Sequence, residues 1–564
     1  MRFEDYVYTR PEMEAFSKKF TVLLEKFKKT RTESKLYQYF DDLNTMRAEF
    51  ASMYNIGHIR HTIDTRDVFY TQENDFFDES SPAYSELETN LYKALLETKF
   101  RPAVEQRWGK RLFDVAELSQ KTFKPEILED LQEENRLSSE YVKLKGSAKV
   151  QFEGKEYNFM GLIPIETGDD RARRKAASQA KWQWYADNGA EIEQIFDKLV
   201  KIRHKIALQL GYKNFVELGY IRMGRTDYDA AMVANYRQQI LEHIVPISNE
   251  LYARQQKRLG YDKLFFYDEE FKFTSGNAKP KGDPDWIVQH AKTMYKDLSA
   301  ETDEFFNFML DNNLLDLVNK EGKFPSGYCT YIEKYKAPYI FSNFNGTSGD
   351  IDVLTHEAGH AFQVFSSRDI GLSEYNWPTY EAAEIHSMSM EFFTWSWMHL
   401  FFEEDTDKYK FAHLGGAVQF LPYGVAVDEF QHFVYENPDC TPAERNEAWK
   451  RIEQKYLPTR DYDGIPFLEK GGFWQKQNHI FQSPFYYIDY TLAQVCAFQF
   501  WKKDRENHEQ AWADYVRLCK AGGSQSFLEL VKLADLRSPF DEGCVASVVG
   551  EIKKWLDGVE DGQF

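Results

Sequence analysis

The run His356-Glu-Ala-Gly-His360 constrains this chain more than any other feature of its 564 residues. On an α-helix, positions four apart lie about 40° apart around the axis, so the two histidines face the same way. Two imidazoles on one face can hold a zinc ion through ring nitrogens. Glu357 stands about 60° from His360, where it can reach a water at the metal without being a ligand. The pattern predicts the layout of a zinc-dependent peptidase, with one Zn²⁺ per chain and Glu357 as its base. Asp352-Val-Leu-Thr355 leads in, and Ala361, Phe362, Val364 and Phe365 follow without proline, so a helix is expected here. Gly359 costs that helix about 1 kcal/mol against alanine, and its small size would let another element approach closely.

Two histidines leave a catalytic zinc one protein ligand short. A nearby helix is expected after Trp377-Pro378, with Thr379 as its N-cap. Glu381 and Glu384 are three apart on that helix and share a face, so either could reach the metal. Glu384 is the better candidate because it sits between Ala383 and Ile385, where an unpaired charge would be costly to bury. Glu381 and Glu391 are otherwise expected to be solvated or to support the site from behind. His386 falls on the opposite face and is expected to be structural.

With these residues in view the chain resembles the thimet oligopeptidase / oligoendopeptidase F family of zinc metallopeptidases, and most closely the shorter bacterial Pz-peptidase type. The matching segments are Ala337 to Gly346, Thr355 to Phe362, Ala383 to Glu391, Gly471 to His479 and Phe485 to Tyr490. The likeness runs from about residue 150 to the C-terminus. It implies that Glu384 is the third zinc ligand and that His479 and Tyr490 contact the reacting carbonyl. A histidine N–H and a tyrosine hydroxyl suit that role, since both donate to the oxygen on which charge develops. Tyr486 and Tyr487 belong to the same aromatic cluster, and one of them is expected to assist Tyr490. Collagen-derived peptides are the substrates that the Pz-peptidase likeness suggests.

Composition fits a soluble enzyme. A net charge of −20 excludes nucleic acid as a partner, whose phosphates need a basic face. Five cysteines without a Cys-x-x-Cys pair read as free thiols in a cytoplasmic protein. Acidic residues at the N-terminus argue against a signal peptide, and no stretch is apolar for long enough to enter a membrane.

The remaining signals are mostly helical. Residues 11 to 30 and 171 to 211 carry helical apolar spacing, the second run ending at Gly211. Asp78-Glu-Ser-Ser-Pro82 reads as a turn, and residues 149 to 159 as a β-hairpin around Glu153-Gly154-Lys155. Short strands are expected at Tyr328 to Ile332 and Tyr339 to Phe344. The second is expected to be a free sheet edge that holds extended substrate, through Tyr339, Phe341 and Asn343. Gly346 and Gly349 would then lie in a mobile loop beside the bond to be cut. The expected architecture is mainly α-helical and two-lobed, with a small sheet beside the zinc helix, and the family resemblance implies a deep substrate channel between the lobes. An N-terminal helical portion, 1 to 195, would face a catalytic portion, 196 to 564. Two other readings fit the same residues: an exo-acting, dipeptidyl-carboxypeptidase-like enzyme, and a helical peptide-binding protein with structural zinc.

Overall fold

The computed structural model describes residues 1–564, apart from the side chain at position 563. Helices dominate from end to end, with five short strands among them. The helix of residues 11 to 30 is found at Met13–Lys29. The longest helix, Arg171–Leu210, begins where the Asp170 carboxylate caps the Arg173 N–H. It stops at Gly211, whose φ of +96° is open to glycine at little cost. The division expected between residues 195 and 196 falls within this helix.

Strands β1 (Val150–Phe152) and β2 (Lys155–Tyr157) pair antiparallel. Glu153 and Gly154 both have positive φ, the geometry of a tight hairpin turn. The hairpin ends two residues earlier than expected because Asn158 caps a new helix, accepting from the Gly161 N–H. The turn expected at 78–82 does not form. Val68–Leu96 is one helix with Pro82 inside it. Ser80 and Ser81 donate to the carbonyls of Phe76 and Phe77, four residues back, and so tie the backbone on the N-terminal side of the proline.

The second sheet shapes the site. Strands β3 (Leu315–Val318), β4 (Tyr328–Ile332) and β5 (Ala337–Phe344) run in the order β3-β5-β4. β5 lies parallel to β3 and antiparallel to β4, with Tyr328 opposite Phe341 and Thr330 opposite Tyr339. The edge expected at 339–344 is therefore the centre of the sheet. Tyr339 and Phe341 are core residues, and the strand bordering the cleft is β4. The reason is in the sequence: Ala337 to Phe344 is almost unbroken in apolar character, which marks a strand buried on both faces.

One large core joins the helices of the C-terminal half to most of the N-terminal ones. A second cluster, around Phe20, Phe40 and Leu95, gathers the N-terminal helices and takes in Leu372 and Tyr375. Glu374 ties it down further, accepting from Tyr92 (2.8 Å) and pairing with Arg47 (2.8 Å). The N-terminal helices thus anchor the segment that follows the helix of His356 and His360, and Arg111 and Val115 line the cleft beside that helix.

Candidate active site

His356, Glu357 and His360 lie on the helix Gly349–Ser367, and Glu384 on the crossing helix Tyr380–Phe393. Gly359 is what lets the two helices meet. A Cβ there would stand 2.6 Å from the His386 carbonyl oxygen and 2.7 Å from the Ser387 Cα. The approach brings Glu384 Oε2 to 3.3 Å from His356 Nε2 and 3.5 Å from His360 Nε2. One donor atom from each of the three residues lies within 4.8 Å of the others, a set able to close around one ion.

The surroundings fit a metal. His356 Nδ1 is 2.7 Å from Glu391 Oε1, which holds the ring with Nε2 turned inward. The second oxygen of Glu391 is 2.8 Å from His413 Nε2, and the Trp395 indole donates to His413 Nδ1 at 3.2 Å. Glu357 Oε2 is buried without a partner beside this set, as expected of a carboxylate whose work lies with substrate and water. Burial pushes the Glu357 carboxyl above its ordinary range, offset in part by His356 and His360. Burial opposes ionisation of Glu384 too, but His360 and His356 overcome it and hold that carboxyl well below the usual range.

Glu381, the other acid considered for the metal, and His386 lie in different surroundings. Glu381 is wholly buried, with both carboxylate oxygens unpartnered, and is not part of the donor set. Burial and then Asp489 push its carboxyl up. His386 is buried on the far side of its helix and pushed down to about 3 by burial and then His360, so it is neutral.

A third element completes the site. His479 Nε2 lies 3.3 Å from the Tyr490 hydroxyl. Gln477 sets the tautomer: its Oε1 accepts from Tyr423 (2.9 Å), so its amide nitrogen donates to His479 Nδ1 (2.7 Å). The ring proton then sits on Nε2, toward the cleft. Burial pushes His479 down to about 4, with Lys145 acting the same way against Glu384, so the ring is a neutral N–H donor. Burial raises the Tyr490 hydroxyl well above its usual value, and it too stays protonated. Of the two tyrosines held open above, Tyr486 faces the metal residues, donating to Glu384 Oε1 at 2.6 Å. Tyr487 lines the adjoining cavity instead.

The turn that presents these tyrosines is strained. Phe485 has a φ of +69°, uncommon for a bulky residue, and its ring fills space that only Gly219 leaves open. Gln431 accepts from its N–H (2.8 Å), and Arg225 donates to its carbonyl (2.5 Å) and to Asp489 (2.7 Å).

His356, His360, Glu384, Glu357, Tyr486 and Tyr490 line one cavity of about 600 Å³, with Gly327 and the first two residues of β4, Tyr328 and Cys329, along its side. Tyr490 is shared with a second cavity of about 670 Å³, which His479 also lines. Several residues expected to bind substrate lie elsewhere. Tyr339 and Phe341 are in the core. Asn343 donates to the carbonyls of Phe324 and Ser326 and so braces the approach to β4. Gly349 is the first residue of the metal-site helix, and the Gly346 N–H is held by Asp350 (2.8 Å), so this segment is tied to the helix.

The sequence pattern of peptidase family M3 matches residues 166–549, and that of the M3 N-terminal domain matches residues 3–123. The chain belongs to peptidase family M3. The metallopeptidases of that family are metal-dependent, and this chain carries the donor set of two histidines and a glutamate described above. Its fold is that of a solved Pz peptidase A with a bound inhibitor, 56% identical over all of both chains, with a TM-score of 0.97. A structure from Bacillus anthracis str. Ames, provisionally designated oligoendopeptidase F, is 58% identical and has a TM-score of 0.93. It is covered to 99%, against 100% of this chain. An oligoendopeptidase F homolog from Borreliella burgdorferi is 24% identical over 375 residues, which are 65% of this chain and 62% of that relative's length. Among the described residues no helix is long and apolar enough to cross a membrane, and all five cysteines are free thiols.

In the bridge from His356 through Glu391 to His413, Glu391 supports the site from behind, one of the two roles expected of it, whereas His413 is not foreseen in the sequence. Glu391 carried a signal, since it stands seven residues after Glu384 and hence on nearly the same face of the helix. His413 carried none, because it arrives from a separate helix.

Proposed function

We propose that the protein is a zinc-dependent oligoendopeptidase that cuts internal bonds of short, unstructured peptides. The observation that carries this reading is the convergence of His356 Nε2, His360 Nε2 and Glu384 Oε2 within 4.8 Å, with the buried Glu357 carboxylate beside them. These three residues would hold the ion, and bound there zinc would supply Lewis acidity toward water and a peptide carbonyl. Glu357 takes a proton from the attacking water and returns it to the leaving amine; its raised pKa suits both transfers. His479 and Tyr490, held protonated and neutral, donate to the carbonyl oxygen as it gains charge, with Tyr486 as the neighbouring donor. The outer edge of β4 at Gly327–Cys329 offers backbone groups to an extended peptide. A structural zinc would call for a fourth protein ligand, and the donor group among the described residues holds three.

The test is mass spectrometry of products from a mixed peptide library that includes end-blocked and collagen-derived peptides, run with and without chelator. Internal cleavage that chelator abolishes and Zn²⁺ restores is expected. A folded protein at equal molarity should survive, because it presents few extended segments to a cleft of this size. Cleavage confined to chain ends, or insensitive to chelation, refutes the reading.

A further inference from the structure

His479 stands on a segment with little structure of its own. Gly472–Lys476 is a short 3-10 stretch and Asn478–Gln482 a helix of five residues. Elements this short leave most of their carbonyls without a partner inside the segment. Four of these carbonyls, on both sides of His479, accept from side chains of two distant helices. Before His479, Tyr141 donates to the Gln475 carbonyl (2.8 Å). The Lys145 amine donates to the Lys476 carbonyl and to Asn478 Oδ1 (2.5 Å). After His479, Ser138 donates to the Phe481 carbonyl (2.9 Å), and Arg203 to those of Phe481 (2.5 Å) and Ile480 (3.4 Å).

Three of these donors come from one helix, Leu128–Gly146. Ser138, Tyr141 and Lys145 lie three and four residues apart, hence on one face. Glu134, a turn earlier, holds Arg203 at 2.7 Å. The Tyr141 ring stacks on Phe481, with centroids 3.7 Å apart and planes 2° from parallel. The helix falls between the two family sequence patterns, of which the first ends at residue 123 and the second begins at 166. Lys145 takes its place at a cost. Burial, then Lys476 and Lys181, push its ammonium down to about 7, and among the described residues no carboxylate offsets them. Its charge also reaches His479, where it helps to keep the ring neutral.

We propose that Lys145, Tyr141 and Ser138 are positioning residues for His479. By fixing the backbone on either side of it, their helix sets where the Nε2–H stands against Tyr490 and the carbonyl being cut. This rests on the peptidase reading and extends the working site to a helix that lines neither cavity. A misplacement of about 1 Å at a reacting group can cost about 100-fold in rate, so the support matters as much as the ring.

The assay is cleavage of a quenched, end-blocked short peptide by the zinc-loaded full-length enzyme. Lys145→Met keeps the aliphatic stem and loses the donors. It should lower kcat about 10- to 100-fold, with KM and bound zinc little changed. Lys145→Arg should recover most of that loss. Lys143→Met, on the exposed face of the same helix, should match the wild type. A double-mutant cycle shows whether Lys145 acts through His479. In a His479→Ala background Lys145→Met should cost little more, because the group it positions is gone. An equal loss in both backgrounds, or a wild-type kcat in Lys145→Met, overturns the proposal. A raised KM at unchanged kcat also overturns it, since Lys145 would then act in binding. If thermal melting shows that Lys145→Met does not fold, Tyr141→Phe carries the same cycle. It keeps the stacked ring, loses one hydroxyl donor, and should lower kcat about 5-fold only where His479 is present. A wild type that leaves the peptide intact overturns the peptidase reading, and this proposal with it.

Discussion

Glu384 and Glu381 are one helical turn apart, yet the structure gives them opposite surroundings. Glu384 meets two imidazoles and the Tyr486 hydroxyl, whereas Glu381 is buried near Asp489 with no hydrogen-bond partner for either oxygen. Glu384→Ala is therefore expected to lose the metal and Glu381→Ala to retain it, as elemental analysis of the purified variants would read. Zinc lost from the Glu381 variant but kept by the Glu384 variant would reverse the assignment. Glu357 makes a different prediction, because its free oxygen points at chemistry and not at binding. Glu357→Gln should keep zinc and bind peptide but lose at least about 10²–10⁴ in kcat, the range of a positioned general base. Near-native turnover in that variant would remove Glu357 from the mechanism. The two histidines and Glu357 could be read from the sequence because their relation is local, fixed by 3.6 residues per turn. Glu384 could not be separated from Glu381 by spacing alone, since both share a face; only the crossing of two helices decides which one meets the imidazoles.

Between elements, the contact that matters most is the helix crossing at Gly359. Adding one methyl group there places it against backbone, the His386 carbonyl and the Ser387 Cα, and not against a side chain that could swing away. Gly359→Ala gains about 1 kcal/mol of helix propensity. Forcing the helices apart should cost more, about 1–3 kcal/mol net, and should draw Glu384 away from the histidines. A lower melting temperature in chelator, together with weaker zinc retention, is the expected pair of results. A higher melting temperature with unchanged zinc would show that the crossing has slack. The sequence disclosed this contact because a glycine inside a helix pattern asks for a reason. It misleads at β5, where Tyr339 to Phe344 is expected as an edge although the apolar run that begins at Ala337 is the pattern of a central strand. It misleads again at Pro82, which sits within a long helix, where proline is normally read as a break. At Pro82 tertiary packing outweighed the local signal, whereas at β5 the packing agrees with the apolar run.

At the scale of the whole molecule, buried titratable groups away from the metal set how the fold responds to acid. His432 is buried between catalytic helices, with Nε2 3.0 Å from the Tyr220 hydroxyl. Burial pushes it down to about 4; Arg237 and Arg225 act the same way, and Asp428 opposes them in part. An unfolded histidine titrates near 6.5, so between about pH 6.5 and 4 the unfolded chain takes up a proton that the native one refuses. The native state is then favoured fully above pH 6.5 and loses that advantage as the pH falls to 4. The loss is about 3 kcal/mol, at roughly 1.4 kcal/mol for each pH unit. Other carboxylates also weaken the fold in acid, so the informative quantity is a difference between two proteins. His432→Gln keeps a hydrogen-bonding partner for Tyr220 and removes the titration. Melting temperatures of both proteins, measured in chelator so that metal release cannot contribute, should diverge across this window. The wild type should fall more steeply than the variant between pH 6.5 and 4, and the two should run in parallel above it. Parallel curves throughout would mean that His432 accepts its proton in the folded protein, through water entry or through Asp428, 3.6 Å away.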